Sequence, residues 1–171
     1  MAHIDADKTE RMAISLSDLF RHNLNRKNEP YCSLQEEIEA VEAYLKIEQI
    51  RFDDRLDYKV DVDDTLLQYL IPRNIIQPLI ENAIKHGISN LTETGKIKLE
   101  VVQNHDQMEI SVYDNGPAFP EDSVRGYGLQ SIFDILNLTY KDKAGLSLDN
   151  QPEKRVWVSI PITKLKKQNG I

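Results

Sequence analysis

Glu81-Asn82-Ala83-Ile84-Lys85-His86-Gly87 closes a run that reads as a helix from Arg73 to about His86. Ile75, Ile76, Leu79, Ile80, Ala83 and Ile84 recur at helical spacing and make one apolar face. Asn82 and His86 stand four residues apart and share a face, with Lys85 beside them. Gly87, just past the last periodic residue, is expected to stop the helix. An amide, an ammonium and an imidazole on one patch suit a ligand that carries phosphate and a metal. The amide oxygen can coordinate a hard cation, and the basic groups can meet phosphate oxygens. A helix end that merely turns polar residues to water would read the same way. Two later motifs decide between these readings.

The chain has 171 residues, enough for one domain with a proper core and an added helical segment. Hydrophobic residues make up 40% and charged residues 29%, the balance of a soluble globular protein. Acidic residues outnumber basic ones 28 to 21, for a net charge of -7, and the basic run near Lys164 to Lys167 is short. That argues against nucleic acid as a partner. Cys32 is the single cysteine, which excludes an internal disulfide and a multi-cysteine metal site and fits a reducing, cytosolic setting. No apolar run approaches the roughly 20 residues that cross a bilayer, and no signal peptide is visible at the start.

Asp5 to about Asn25 reads as a first helix, with Met12, Leu16, Leu19, Phe20 and Leu24 as its stripe. That stripe could pack back onto the domain or serve as a dimer seam. Asn25 to Cys32 reads as a loop broken by Pro30. Ser33 and Glu36 form a capping-box pattern that starts a second helix, running to about Phe52 on Leu34, Ile38, Val41 and Leu45. Glu36, Glu37, Glu39 and Glu42 crowd its first half, and a solvated face is the expected role. Leu56 to Val62, Lys96 to Val102, Met108 to Asp114 and Arg155 to Ile162 alternate as strands, and Leu146 and Leu148 mark a shorter one. Leu129 to about Tyr140 is a third main helix. Each strand is apolar on one face only, whereas strands covered on both faces read as continuous apolar runs. The expected fold is an α/β protein: a two-layer sandwich with a mixed sheet, helices on one face, and two N-terminal helices ahead of it. The boundary is expected near Phe52 to Arg55, although the N-terminal helices could instead join the sandwich as one unit.

Period two places Asp114 on the core face with Met108, Ile110 and Val112. An inward carboxylate must be answered by protein donors or left for a ligand's N–H groups, such as the exocyclic amine of a purine. Asn115-Gly116-Pro117 follows as a sharp turn that brings backbone close to whatever Asp114 holds. Gly126-Tyr127-Gly128 then opens the Leu129 helix, where backbone N–H groups can meet an anion. The polar stretch from Pro117 to Arg125 between them reads as a short lid over a ligand.

These three parts together resemble the ATP-binding domain shared by sensor histidine kinases, gyrase-type ATPases, heat-shock chaperone ATPases and mismatch-repair ATPases, the Bergerat fold. Five stretches look more closely like LytS-type sensor histidine kinases. They are Leu16 to Arg21, Tyr44 to Phe52, Ile71-Pro72, Gln77 to Ile80 and Glu81 to Gly87, and the resemblance extends from about Ala13 to Pro161. It implies that Asn82 ligates Mg²⁺ bridging the ATP phosphates, with Lys85 and His86 near those phosphates as the catalytic set. It implies that Asp114 accepts from the adenine amino group, that Gly116 lets the backbone approach, and that Gly126, Gly128 and Leu129 form the hinge and phosphate contact. ATP and Mg²⁺ are the implied cofactors. The implied reaction passes the γ-phosphoryl group to a histidine, by positioning and charge neutralisation, for relay to a response regulator.

Three features differ from that pattern. Ala118 stands where the family has a second glycine, and the helix after Gly128 lacks an arginine often found there. The acceptor segment, an Asn-Pro-His-Phe run upstream of the Leu19 helix, is missing, and His3 has no such context. The expectation is therefore the C-terminal, cytoplasmic piece of a longer membrane-embedded sensor, homodimeric at full length and without membrane contact of its own. Residues 1–53 would then end the dimerisation region, 54–165 form the catalytic domain and 166–171 a tail. A hydrolysing ATPase of the superfamily resembles its relatives in a water-activating Glu four residues before the Asn, where this chain has Pro78. A serine kinase opposing a sigma factor would share the ATP site but not the Tyr44 to Phe52 helix. A scaffold without nucleotide is the alternative from another class, and Ala118 is its best support.

Overall fold

A computed structural model describes residues 6–24, 29–53, 55–120 and 128–167, with backbone only for 18–24, 164 and 167. Helix α1 spans Ala6–Leu24, strand β1 Tyr31–Ser33 and helix α2 Leu34–Arg51. Strands β2, Leu56–Val62, and β3, Tyr69–Pro72, precede helix α3, Ile76–Asn82, which runs straight into a π-helical turn, Ala83–Ile88. Strands β4, Gly95–Asn104, and β5, Gln107–Asp114, form a hairpin. Helix α4 spans Gln130–Tyr140, followed by strands β6, Gly145–Asp149, β7, Arg155–Pro161, and β8, Lys166–Lys167.

The main sheet has the order β2-β4-β5-β7-β6; β2 and β4 run parallel and the other neighbours antiparallel. The parallel pair is the one with α3 between its strands, since a parallel return needs a crossover. The alternation seen in the sequence sets the faces. Leu56, Ile97, Leu99, Val101, Met108, Ile110, Val112, Val156, Val158 and Ile160 are buried beneath the helices. The opposite face carries Lys59–Asp61, Lys98–Glu100 and Arg155–Asp149 ion pairs, with the Trp157 indole donating to Asp149. The fold is the expected sandwich, with a mixed sheet, helices on one face and two helices ahead of it.

The capping box at Ser33 is formed: Glu36 N donates to Ser33 Oγ at 3.2 Å and Ser33 N donates to Glu36 Oε2 at 2.8 Å. Leu34, Ile38, Val41 and Leu45 of α2 lie in the same core as the sheet's inner face and α3. Each such side chain contributes roughly 1.5–3 kcal/mol of burial, so α2 is tied to the sandwich by its apolar stripe. Lys8 of α1 pairs with Asp53, while Ile14 and Leu16 of α1 remain exposed.

Four sequence expectations need correction. Residues 31 and 32 are strand rather than loop, because β1 pairs with β3 and β3 with β8 in a small second sheet. These strands are too short to show a period. The central helix starts at Ile76 rather than Arg73, after a turn in which Asn74 takes a positive φ of 63°. Gly87 does not stop that helix; it lies inside the π turn, which continues to Ile88. Glu37 is not on a solvated face. It is buried, and accepts from Asn74 N at 2.8 Å and Ile76 N at 3.1 Å, supplying in trans the cap that α3 lacks.

Candidate functional site

The site is built where the end of α3 meets the end of β5. A π turn holds one extra residue per turn, and such insertions are frequent at functional sites. Ser89 closes this one by donating from N, at 2.9 Å, and Oγ, at 2.7 Å, to Ile84 O. The widened turn carries Gly87 against Asp114. A Cβ on Gly87 would lie 2.7 Å from Asp114 Cγ, and a Cβ on Gly116 would lie 2.5 Å from Gly87 C and Cα. The helix end and the strand end therefore meet backbone to backbone. Asn115 fixes the turn between them: Lys96 N donates to its Oδ1 at 2.7 Å, and its Nδ2 donates to Thr94 O at 3.1 Å.

Asn82, the last residue of α3, is 6% exposed, and its Oδ1 has no hydrogen-bond partner among the described residues. A buried amide oxygen left in that condition costs about 1–3 kcal/mol. It is a hard, neutral donor atom of the kind a Mg²⁺ ion accepts. Lys85 and His86, one turn on, are exposed, so the group Asn82-Lys85-His86 is divided between a buried oxygen and two basic side chains at the surface. Desolvation holds the His86 imidazole below its ordinary value, helped by the charges of Lys85 and Lys154.

The Asp114 side chain is only 2% exposed, as the alternation requires. Its Oδ1 accepts from Gly116 N at 2.8 Å and from Lys154 Nζ at 2.7 Å. The protein thus answers this oxygen itself. Lys154 was not among the residues singled out from the sequence. Its position follows from register: Tyr113 pairs with Arg155, so Asp114 faces Lys154 one step beyond the ladder. Lys154 also sits over the Phe119 ring at 4.5 Å. Asn150 holds Phe119 at both ends, accepting from Phe119 N at 2.8 Å and donating to Phe119 O at 2.9 Å.

Gly128 takes a φ of +68° directly before α4, with open space where a side chain would stand. Leu129 is buried and its carbonyl accepts from Phe133 N. Gly126 and residues 121–125 of the expected lid lie outside the described residues. A cleft of ≈ 640 Å³ also borders Asp114, Gly116 and Lys154, reaching Asp57, Lys59 and Lys98. It opens on the polar face of the sheet and does not include Asn82, so it is not the space the helix-borne groups share.

The family model described as histidine kinase-, DNA gyrase B-, and HSP90-like ATPase matches residues 69–163, and one described as histidine kinase matches residues 1–56. The chain is 38% identical over 132 residues to the sensor protein LytS of Staphylococcus epidermidis, covering 77% of this chain and 22% of that protein. It is 32% identical over 160 residues to the sensor histidine kinase BtsS of Escherichia coli, covering 92% and 28%. The chain thus spans about a quarter of the length of these relatives. The catalytic domain of the histidine kinase ThkA matches with a TM-score of 0.57 at 22% identity, covering 78% of this chain and 97% of that one. ThkA in complex with the response regulator protein TrrA matches with a TM-score of 0.56 at 19% identity, covering 95% and 54%. These structural likenesses concern the fold. By the match over residues 69–163, the chain belongs to the histidine kinase-, DNA gyrase B-, and HSP90-like ATPase family.

Proposed function

We propose that this member of the histidine kinase-, DNA gyrase B-, and HSP90-like ATPase family is the ATP-binding catalytic part of a LytS-type sensor histidine kinase. It would pass the γ-phosphoryl group of ATP to a histidine upstream of the described residues, for relay to a response regulator. The observation that carries this reading is the buried Asn82 Oδ1 without a partner among the described residues, beside the close approach of Gly87, Asp114 and Gly116. The amide oxygen fits a hard cation, so Asn82 is assigned to Mg²⁺. A bound Mg²⁺ supplies neutralisation of phosphate charge.

In this reading Lys85 and His86 meet phosphate oxygens from the exposed side of the π turn. Asp114 accepts from the adenine amine, and Gly116 lets the backbone approach the end of the π turn beside it. Gly128 and Leu129 begin α4 against the phosphates, and Gly126 keeps the role the family pattern gives it. Residues 1–53 are assigned to the dimerisation region, with β1 and α2 packed onto the catalytic domain of residues 54–165, and 166–171 to a tail that starts with the β8 pairing. The chain is assigned to the cytoplasmic side of a larger membrane sensor that acts as a homodimer. No helix among the described residues is long and apolar enough to cross a membrane. A response-regulator partner is supported by the ThkA–TrrA complex, a protein of like fold.

Calorimetric titration with a non-hydrolysable ATP analogue, with and without Mg²⁺, tests the reading. Saturable binding that needs Mg²⁺ and is lost in Asp114→Asn is the expected result. Absence of binding at millimolar nucleotide overturns it for this chain. Supplying the acceptor segment in trans then tests phosphoryl transfer.

A further inference from the structure

Lys154 holds one oxygen of the carboxylate assigned to the base. Its ammonium donates to Asp114 Oδ1 at 2.7 Å, and the two side chains are 10% and 2% exposed. Several contacts build this arrangement. The β5–β7 register brings Lys154 opposite Asp114, the Phe119 ring lies 4.5 Å from its ammonium, and Asn150 clamps Phe119 at both backbone groups. The loop ahead of β7 and the segment after β5 are thereby locked over the carboxylate.

We propose that Lys154 is an affinity- and specificity-setting residue of the nucleotide site, which holds Oδ1 of the base-reading carboxylate until a purine amino group replaces its ammonium there. This rests on the reading of Asp114 as the acceptor for adenine. In the exchange one N–H···O bond from Lys154 breaks and one from the exocyclic amine forms. A hydrogen bond between charged groups is stronger than one from a neutral amine, so the lysine weakens adenine binding relative to a bare aspartate. A 6-oxo purine offers the carboxylate an oxygen in place of the amine and cannot make the replacement.

The opposite role, a lysine that grips phosphate, predicts the reverse effects. The ATP analogue with Mg²⁺ is titrated into the wild type, Lys154→Met, Lys154→Arg and Asp114→Asn. Lys154→Met is expected to bind about tenfold more tightly, the share of a buried charged hydrogen bond, and Lys154→Arg no more tightly than the wild type. Weaker binding by Lys154→Met overturns the proposal. If the wild type binds, Asp114→Asn does not, and Lys154→Met gains nothing, the lysine's role falls while the nucleotide reading stands. If neither the wild type nor Lys154→Met binds, both fall. A second measurement needs no substitution: acylation of lysine amines on the wild type, read residue by residue by mass spectrometry. Lys154 should be labelled faster with saturating analogue, because displacement frees its amine. Slower or unchanged labelling overturns the proposal.

Discussion

Gly116 packs on Gly87 with no room for a side chain between them: a Cβ on Gly116 would lie 2.5 Å from both C and Cα of Gly87. The obstructing atoms are backbone and cannot swing aside. Gly116→Ala is therefore expected to lower stability by about 1–3 kcal/mol, the usual cost of overpacking, and to remove nucleotide binding. Gly87→Ala should act likewise by striking the Asp114 carboxylate. Gly145→Ala is the control, since its Cβ would meet only Ser159 Oγ at 3.3 Å. Thermal melts and analogue titration on the three variants check this; a Gly116→Ala protein that binds like the wild type would contradict the assigned geometry.

Asn82 sets function against stability. Its Oδ1 is buried without a partner among the described residues, and removing such a group relieves about 1–3 kcal/mol of desolvation. Asn82→Leu is expected to melt no lower than the wild type in the absence of nucleotide while losing Mg²⁺-dependent binding of the ATP analogue. EDTA should reproduce the binding loss in the wild type. A large fall in melting temperature for Asn82→Leu would show that the amide serves the fold instead.

His86 should titrate below 6.5, held down first by desolvation, then by Lys85 and Lys154. Because the folded chain resists protonation more than the unfolded one, the His86 contribution to stability is present above about pH 6.5. It is lost as pH falls through the folded value. NMR titration of the imidazole gives the midpoint. Lys85→Ala should raise it more than Lys154→Met, following the order of the two charges, and bound analogue should raise it further by placing phosphate nearby. A wild-type midpoint at or above 6.5 would remove the basis for this.

Glu37 ties α2 to the start of α3 by accepting from Asn74 N and Ile76 N. Glu37→Ala leaves both donors unsatisfied, at a cost of about 2–4 kcal/mol. Glu37→Gln keeps one acceptor oxygen and should cost about half as much. Urea unfolding measures both, and a Glu37→Gln protein as stable as the wild type would mean that burial volume rather than the second cap oxygen is at stake. Ser33→Ala, which breaks the capping box at the other end of this link, should cost about 1 kcal/mol.

The layers and the inward aspartate are written in local patterns of the chain. Period two in β2, β4, β5 and β7, with one polar face each, required a sheet covered on one side. The same alternation turned Asp114 inward, and the Ser33–Glu36 pattern started α2 where it begins. These are local signals, carried by neighbours a few residues apart. What depends on distant residues came only with the assembled sheet and helices. Strands β1, β3 and β8 exist because they pair with one another. Glu37 is buried because the α3 backbone needs an acceptor that its own sequence does not supply. Gly87 continues the helix because the approach of Asp114 and Gly116 gives its missing side chain a use that outweighs its tendency to end helices. Lys154 entered the site through β5–β7 register, a pairing across 40 residues that no window of sequence contains. Inward direction is a property of one strand; the partner that meets it there is a property of the whole sheet.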